Sequence, residues 1–201
     1  MALFLISGPS QSGKTTLIKI LLKDPDIAGI ITATSRKPRP GEKDKKDYYF
    51  LKKEDFKDTS KFIETAVVHG EFYGTLKKEL EEKLSLNKKI IWNIDVQGVN
   101  FILKKYKKLP KETETIFLAT EKLSTLMERI KRRGDINLME RIKSIKKELS
   151  YLNLFKYIIN TSISHEESLE QLKAVIYNKK EKLKEIEKFT KNFNTEKFLN
   201  S

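Results

Sequence analysis

The sequence predicts an α/β fold in which a parallel five-stranded sheet is flanked by helices, with a small mixed insertion and a short lid. Three observations predict it. The apolar run Ala2–Ile6 passes straight into a glycine-rich loop and then a helical pattern, four further strand-like runs alternate with helices, and the texture changes between about 34 and 87. Such alternation puts crossover helices on both faces of a parallel sheet, whose strands read as near-continuous apolar runs.

Residues 2–7 form the first strand, ended by Gly8, and "KTTLIKILLK" has helical spacing at Leu17, Ile18, Leu21 and Leu22. Asp24 and Pro25 end that helix, and "AGIITAT" reads as a second strand. The stretch 34–87 follows as the insertion. It holds a basic loop "SRKPRPGEKDKKD", strand pieces "YYFL" and "FIETAVV", a turn "HGEFYGT" and a charged helix "LKKELEEKLSL". The core pattern resumes with strand "KIIWNID", helix "GVNFILKKY", strand "ETIFLAT" and helix "EKLSTLMERIKRR". After Gly134-Asp135 come a helix "LMERIKSIKKELSYL", strand "KYIIN" and a last helix from about Glu166 to Lys188. The core therefore spans 1–33 and 88–190, with a lid at about 132–140 and a polar tail at 191–201 that carries Phe193 and Phe198.

The chain has 201 residues, enough to bury a substantial core, and a formal charge of +13. Of its 41 basic residues only six are arginine, at 36, 39, 129, 132, 133 and 141. Lysines are spread along the chain as surface charge. Arginine, with its planar fork, is the better residue for bidentate capture of phosphate, so two phosphate sites are implied. There are no cysteines, which excludes a disulfide scaffold, a thiolate metal site and a cysteine nucleophile. No run reaches the roughly 20 apolar residues that span a bilayer, and the opening "ALFLI" lacks the features of a signal peptide. These features read as a soluble cytoplasmic protein, with neither membrane nor nucleic acid as a partner.

Gly8-Pro9-Ser10-Gln11-Ser12-Gly13-Lys14-Thr15, with Thr16 following, fits the P-loop pattern in residue type and in its strand and helix flanks. Backbone N–H groups and the helix N-terminus face an anion there, Lys14 reaches the β and γ phosphates, and the Thr15 hydroxyl ligates Mg2+. The loop implies a bound nucleotide without naming the acceptor.

The segments "TATSRKPRPGE", "DYYF", "FIETA", "FYGT" and "NIDVQG" occur in that order. On them the chain resembles the guanylate kinases from Ala2 to about Leu172. The resemblance implies a P-loop type enzyme that transfers the γ-phosphoryl group of ATP to GMP, and to dGMP, with Mg2+, as a monomer or homodimer. It places Arg36, Arg39, Tyr48 and Tyr73 around the acceptor phosphate and Glu64, Thr32, Thr75 and Asp95 at the guanine, and it includes Glu42 and Gly74 among the GMP-binding residues. One carboxylate complements the adjacent N1–H and N2 amino group of guanine, whereas adenine has an acceptor at N1 and would leave it unpaired. It further implies that Arg129, Arg133 and Arg141 act on the phosphates from the lid, and that Asn160 lies near the adenine of ATP. Trp92 reads as core. The nucleophile is a phosphate oxygen ionised near neutral pH, so no general base is needed and positive charge with in-line positioning dominates.

The chain departs from the family pattern at Gln11, in place of glycine, and at Asn93, in place of an acid. Thr65 replaces a tryptophan, Lys156 and Thr161 replace acids near the last strand, and the lid is short. Gln11 implies that the loop either accepts a side chain there or has a φ that any residue tolerates. Three alternatives stay open at this point. They are a kinase of a phosphorylated sugar such as ribose 1,5-bisphosphate, a non-catalytic protein-binding module, and a nucleic-acid binder suggested by charge alone.

Overall fold

The computed structural model describes residues 2–68, 70–132, 134 and 137–201. The chain runs β1 (Ala2–Ser7), α1 (Lys14–Leu21), β2 (Ile27–Ile30), β3 (Ala33–Thr34), β4 (Tyr49–Phe50), β5 (Phe62–Val68), β6 (Glu71–Leu76) and α2 (Lys77–Leu84). It continues through β7 (Lys89–Asn93), α3 (Val96–Lys105), β8 (Glu112–Ala119), α4 (Leu123–Arg132), α5 (Leu138–Leu149), β9 (Tyr157–Asn160), α6 (His165–Ile176), α7 (Lys180–Asn192) and α8 (Thr195–Leu199).

Five strands form an all-parallel sheet in the order β2-β7-β1-β8-β9, and four form a mixed sheet in the order β4-β3-β6-β5. Leu3, Phe4, Leu5 and Ile6 of β1 are all buried, as are Ile90, Ile91 and Trp92 of β7 and Ile116, Phe117 and Leu118 of β8. Consecutive residues of a strand point to opposite faces, so these unbroken buried runs require a cover on each.

The packing divides the chain into two compact units. The first comprises residues 1–5 and 25–113. In it β2 pairs in parallel with β7, from Ile27 opposite Lys89 to Ile30 opposite Trp92. The mixed sheet belongs to the same unit and folds over its own small core of Ala33, Phe56 and Phe62, flanked by Tyr49, Leu51, Phe72 and Leu76. The Phe56 and Phe62 rings stack at 4.9 Å between centroids. Strand β5 has a period of two: Phe62, Glu64 and Ala66 are buried, whereas Thr65 and Val67 are exposed. That alternation sends the Glu64 carboxyl inward, and puts Thr65 on the opposite, exposed face.

The second unit comprises residues 6–24 and 114–201. Helix α1 buries Leu17, Ile18 and Leu21, an i, i+1, i+4 stripe. β8 pairs with β9 from Ile116 opposite Tyr157 to Ala119 opposite Asn160. On the edge strand β9, the Ile158 N–H donates to Thr190 Oγ1 of α7 at 2.8 Å.

Three elements differ from the sequence-based expectation, and the structure decides a fourth, the tail, on whose packing the sequence is silent. "AGIITAT" is two strands, because the chain leaves the parallel sheet after Ile30 and enters the mixed sheet at Ala33. "HGEFYGT" holds strand β6, paired antiparallel with β5 from Leu76 opposite Phe62 to Glu71 opposite Val68. The single last helix is two, broken at Asn178, whose φ of +52° is left-handed and incompatible with a continuing helix. The tail is packed: Phe198 is 2% exposed, and Ser201 accepts hydrogen bonds at the start of α4 from Leu123 N–H (3.0 Å, to its hydroxyl) and Ser124 N–H (3.2 Å, to its carbonyl).

Candidate active site

The phosphate loop lies in the second unit and follows β1. Gly8 has a φ of +142°, and a Cβ there would stand 2.3 Å from the Leu118 carbonyl oxygen, so only glycine lets the loop leave the sheet at this point. Gly13, at φ +88°, is the N-cap of α1. Gln11 has a φ of +67°. Its backbone is therefore in the left-handed region, and the loop carries a side chain at the cost of strain.

The Lys14 ammonium folds back onto its own loop, donating to the Gly8 carbonyl, to the Pro9 carbonyl at 2.7 Å and to Ser12 Oγ at 3.5 Å. Burial lowers its pKa to about 8, against the opposing charge of Glu148. Thr15 and Thr16 are exposed on the first turn of α1. Arg129 of α4 bridges two carbonyls, with Nη2 donating to Thr161 at 2.7 Å and Nη1 to Gln11 at 3.5 Å. Among the lid arginines, Arg141 stands half-buried in the first turn of α5 and Arg133 lies outside the described residues. Arg132, at the end of α4, makes an exposed ion pair with Glu128 at 3.8 Å. Asn160 is buried at the end of β9. Its Nδ2 donates to Glu121 Oε1 at 2.7 Å and its Oδ1 accepts from the Ser162 N–H at 2.8 Å, so it ties together the loops after β8 and β9. Thr161 Oγ1 beside it is buried with no hydrogen-bond partner among the described residues.

The first unit holds the predicted acceptor residues in two groups. In the basic loop after β3, Arg36 forms a two-pronged pair with Glu42, at 2.9 and 3.1 Å, and donates to the Lys37 carbonyl at 2.7 Å. Its guanidinium lies over the rings of Tyr48 and Phe50, at 5.4 and 5.8 Å, and Tyr48 meets Tyr73 edge-on at 6.3 Å. Arg39 is exposed and gives its backbone N–H to Glu42 at 2.8 Å. Burial pushes the Glu42 carboxyl up, but Arg36 and Arg39 outweigh it and hold the group below the usual range. Burial raises the Tyr48 hydroxyl, which keeps it a donor. Arg36 Nε is buried with no hydrogen-bond partner among the described residues.

The second group surrounds Glu64, which is 5% exposed. Trp92 Nε1 donates to Thr75 Oγ1 at 3.0 Å, and Thr75 Oγ1 donates to Glu64 Oε1 at 2.8 Å. An indole N–H can only donate, so the threonine hydroxyl accepts from it and gives its own proton to Glu64. That relay fixes the carboxylate's orientation and leaves Oε2 buried with no hydrogen-bond partner among the described residues. Burial raises the Glu64 pKa to about 7, Thr75 partly offsetting this and the Asp95 charge adding to it. Asp95 caps α3, accepting from the Gln97 and Gly98 N–H groups at 2.7 and 3.2 Å. Gly74 has a packing role: a Cβ there would lie 2.8 Å from the Glu64 carbonyl oxygen and 2.9 Å from Phe62.

Sequence reasoning missed three contributors. Trp92 is core, as expected, and also the start of the relay to Glu64. Gly98 is needed because a Cβ would approach Ile94 at 2.6 Å and Glu64 Oε2 at 3.2 Å; the signal was present as the last residue of "NIDVQG". Glu79 is buried, although the helix that carries it reads as charged and solvated.

A P-loop on a parallel sheet, joined in one chain to a unit that holds both a buried carboxylate and an arginine and tyrosine cluster, defines a phosphotransferase of the nucleotide kinase class. The comparisons identify the family. The family profile described as Guanylate kinase matches residues 1–179. The guanylate kinase of Bartonella quintana is 37% identical over 176 residues, 83% of this chain and 77% of the relative, and that of Thermotoga maritima is 35% identical over 188 residues, 90% and 88% of each. The crystal structure of guanylate kinase from Anaplasma phagocytophilum superposes with a TM-score of 0.71 at 26% identity, covering 89% of this chain and 85% of that one. The chain belongs to the guanylate kinase family.

Proposed function

We propose that this chain transfers the γ-phosphoryl group of ATP to GMP, and to dGMP, releasing ADP and GDP. The observation that carries the reading of the acceptor is Glu64: a buried carboxylate, oriented by Thr75 and Trp92, with one oxygen left without a partner. Guanine's N1–H and N2 amino group are two adjacent donors for a carboxylate whose Oε2 is open and whose Oε1 keeps acceptor capacity beside Thr75. A sugar phosphate would leave it unpaired, and a protein-binding module would have no need of it.

Arg36, Arg39, Tyr48 and Tyr73 take the acceptor phosphate, drawing Arg36 from its pairing with Glu42. The insertion 34–87 serves as the acceptor-binding segment, with Thr32 and Thr75 beside the base. At the donor, residues 8–16 cradle the ATP phosphates. Lys14 turns from the Gly8 and Pro9 carbonyls to the β and γ phosphates, where its charge counters that of the transferring group. Arg129 is held at the loop by Gln11 and Thr161, and with Arg133 and Arg141 adds charge as the lid at about 132–140 closes. Asn160 orders the adenine end.

The donor set suits Mg2+, which takes one or two protein oxygens and completes its shell with phosphates and water. The exposed Thr15 hydroxyl would hold it, and the ion would supply charge that neutralises the ATP phosphates. Among the described residues no helix is long and apolar enough to cross a membrane, and we place the reaction in the cytoplasm.

A competition of GMP, dGMP, AMP and ribose 1,5-bisphosphate for limiting ATP tests the reading. GMP and dGMP are consumed first if it holds. Preference for AMP or the base-free acceptor overturns it.

A further inference from the structure

Glu79 stands on the first turn of α2 and is 4% exposed, in a helix otherwise built largely from solvated charges. Burying a carboxylate is costly unless hydrogen bonds replace its water, and here both oxygens are supplied. One oxygen, Oε1, accepts the Ile31 N–H at 3.0 Å, and the other, Oε2, accepts the Tyr49 hydroxyl at 2.7 Å. Lys83, one turn along, approaches Oε1 at 3.7 Å.

The backbone that Glu79 grips is the crossing between the two sheets of the first unit. β2 ends at Ile30 and β3 begins at Ala33, so Ile31 and Thr32 are the two residues that belong to neither. Glu79 holds Ile31 by its N–H. Tyr49 holds Thr32 by its carbonyl, through the Tyr49 N–H at 2.9 Å. The two clamps are joined by the Tyr49–Glu79 hydrogen bond, so α2, β4 and the crossing are locked together. Past the crossing, Thr34 Oγ1 donates to the Phe72 carbonyl of β6 at 3.0 Å and accepts the Arg36 N–H at 3.2 Å. The placing of Arg36 therefore depends on where the crossing is pinned.

We infer that Glu79 is a positioning residue for the acceptor half of the reaction, setting Thr32 and the start of the Arg36 loop through its clamp on Ile31 and Tyr49. It touches neither substrate nor reacting atoms. The inference rests on GMP being the acceptor, and it assigns the donor half no dependence on Glu79.

The test is calorimetric titration of the full chain with GMP and with a non-hydrolysable ATP analogue, alongside steady-state kinetics and thermal melting. Glu79→Ala leaves the Ile31 N–H and the Tyr49 hydroxyl without partners and raises the GMP Kd and KM tenfold or more, with the ATP constants within twofold of native. Glu79→Gln keeps an acceptor for Ile31 and restores GMP affinity to within about threefold of native. Tyr49→Phe removes one arm only and covers the case in which Glu79→Ala does not fold; it raises the GMP Kd severalfold. A folded Glu79→Ala with native GMP affinity, or a Tyr49→Phe indistinguishable from native, overturns the inference. So do GMP and ATP constants that rise together. Failure of the native protein to bind GMP instead overturns the acceptor assignment, which separates the two failures.

Discussion

Replacing Glu64 by glutamine removes a buried charge while keeping the shape of the side chain. In the native protein this carboxyl titrates at about 7 instead of the ordinary 4.5, chiefly because burial disfavours its charged form. A tenfold change in proton affinity corresponds to about 1.4 kcal/mol, so holding the ionised group in this site costs the fold about 3 kcal/mol. Below pH 4.5 the carboxyl is neutral in both folded and unfolded chains and no cost exists. Between 4.5 and about 7 the unfolded chain loses its proton first, so native stability falls as pH rises, and above 7 the loss is complete. Glutamine stays neutral throughout. The stability of Glu64→Gln relative to native therefore climbs by about 3 kcal/mol from about pH 4.5 to pH 8, a relative shift of about 1.5 M in urea midpoint for a slope near 2 kcal/mol/M. Urea unfolding of both proteins at about pH 5, 6, 7 and 8 without nucleotide measures this difference. The same variant presents an N–H to guanine's donors and loses GMP turnover by on the order of 100-fold or more. A stability difference that is flat across this pH range refutes the reasoning.

Lys14 titrates at about 8 in the free loop and must be protonated to hold phosphate, so ATP affinity is level below pH 8 and weakens about tenfold per unit above it; titration in buffers of different ionisation enthalpy shows proton uptake of about one half per ATP at pH 8. Gln11→Gly relieves the left-handed backbone at +67° and raises stability by about 0.5–1 kcal/mol, part of the relief being offset by the freer unfolded chain; an unchanged or lower urea midpoint contradicts this. Trp92→Phe removes the donor that orients Thr75 in a fully buried site, so it destabilises by about 1–2 kcal/mol and weakens GMP binding severalfold while leaving ATP binding native. Equal loss for both nucleotides contradicts the relay.

The residues proposed for the acceptor could be picked out in the sequence because they sit in short motifs whose spacing survives folding: Arg36 through Glu42 in one loop, Glu64 on a strand of period two. What was not legible depends on long-range pairing. Trp92 joins the site only because Thr75 and Glu64 lie opposite each other on β6 and β5, a register that no local pattern encodes. Glu79 is hidden by its neighbours, since Lys77, Lys78, Glu81, Glu82 and Lys83 surround it in sequence and make the helix read as solvated all round. "AGIITAT" is apolar enough to read as one strand, and the break at Ile31 and Thr32 is held by the Glu79 side chain and the Tyr49 backbone N–H, from other parts of the chain. The kink at Asn178 was likewise invisible, because a single left-handed residue leaves the flanking apolar periodicity almost intact.

The phosphate loop is the part in which sequence and structure coincide most closely. Gly8 and Gly13 sit where backbone approach and positive φ require them, and Gln11 shows that the loop keeps a left-handed geometry even where glycine is absent.

The central claim is phosphoryl transfer from ATP to GMP. Phosphorus NMR of the native protein with ATP, GMP and Mg2+ tests it most directly. ADP and GDP are expected to appear in equal amounts, at a rate reduced by at least about 100-fold in Lys14→Ala. Hydrolysis of ATP with GMP left intact, or native turnover in Lys14→Ala, would contradict it.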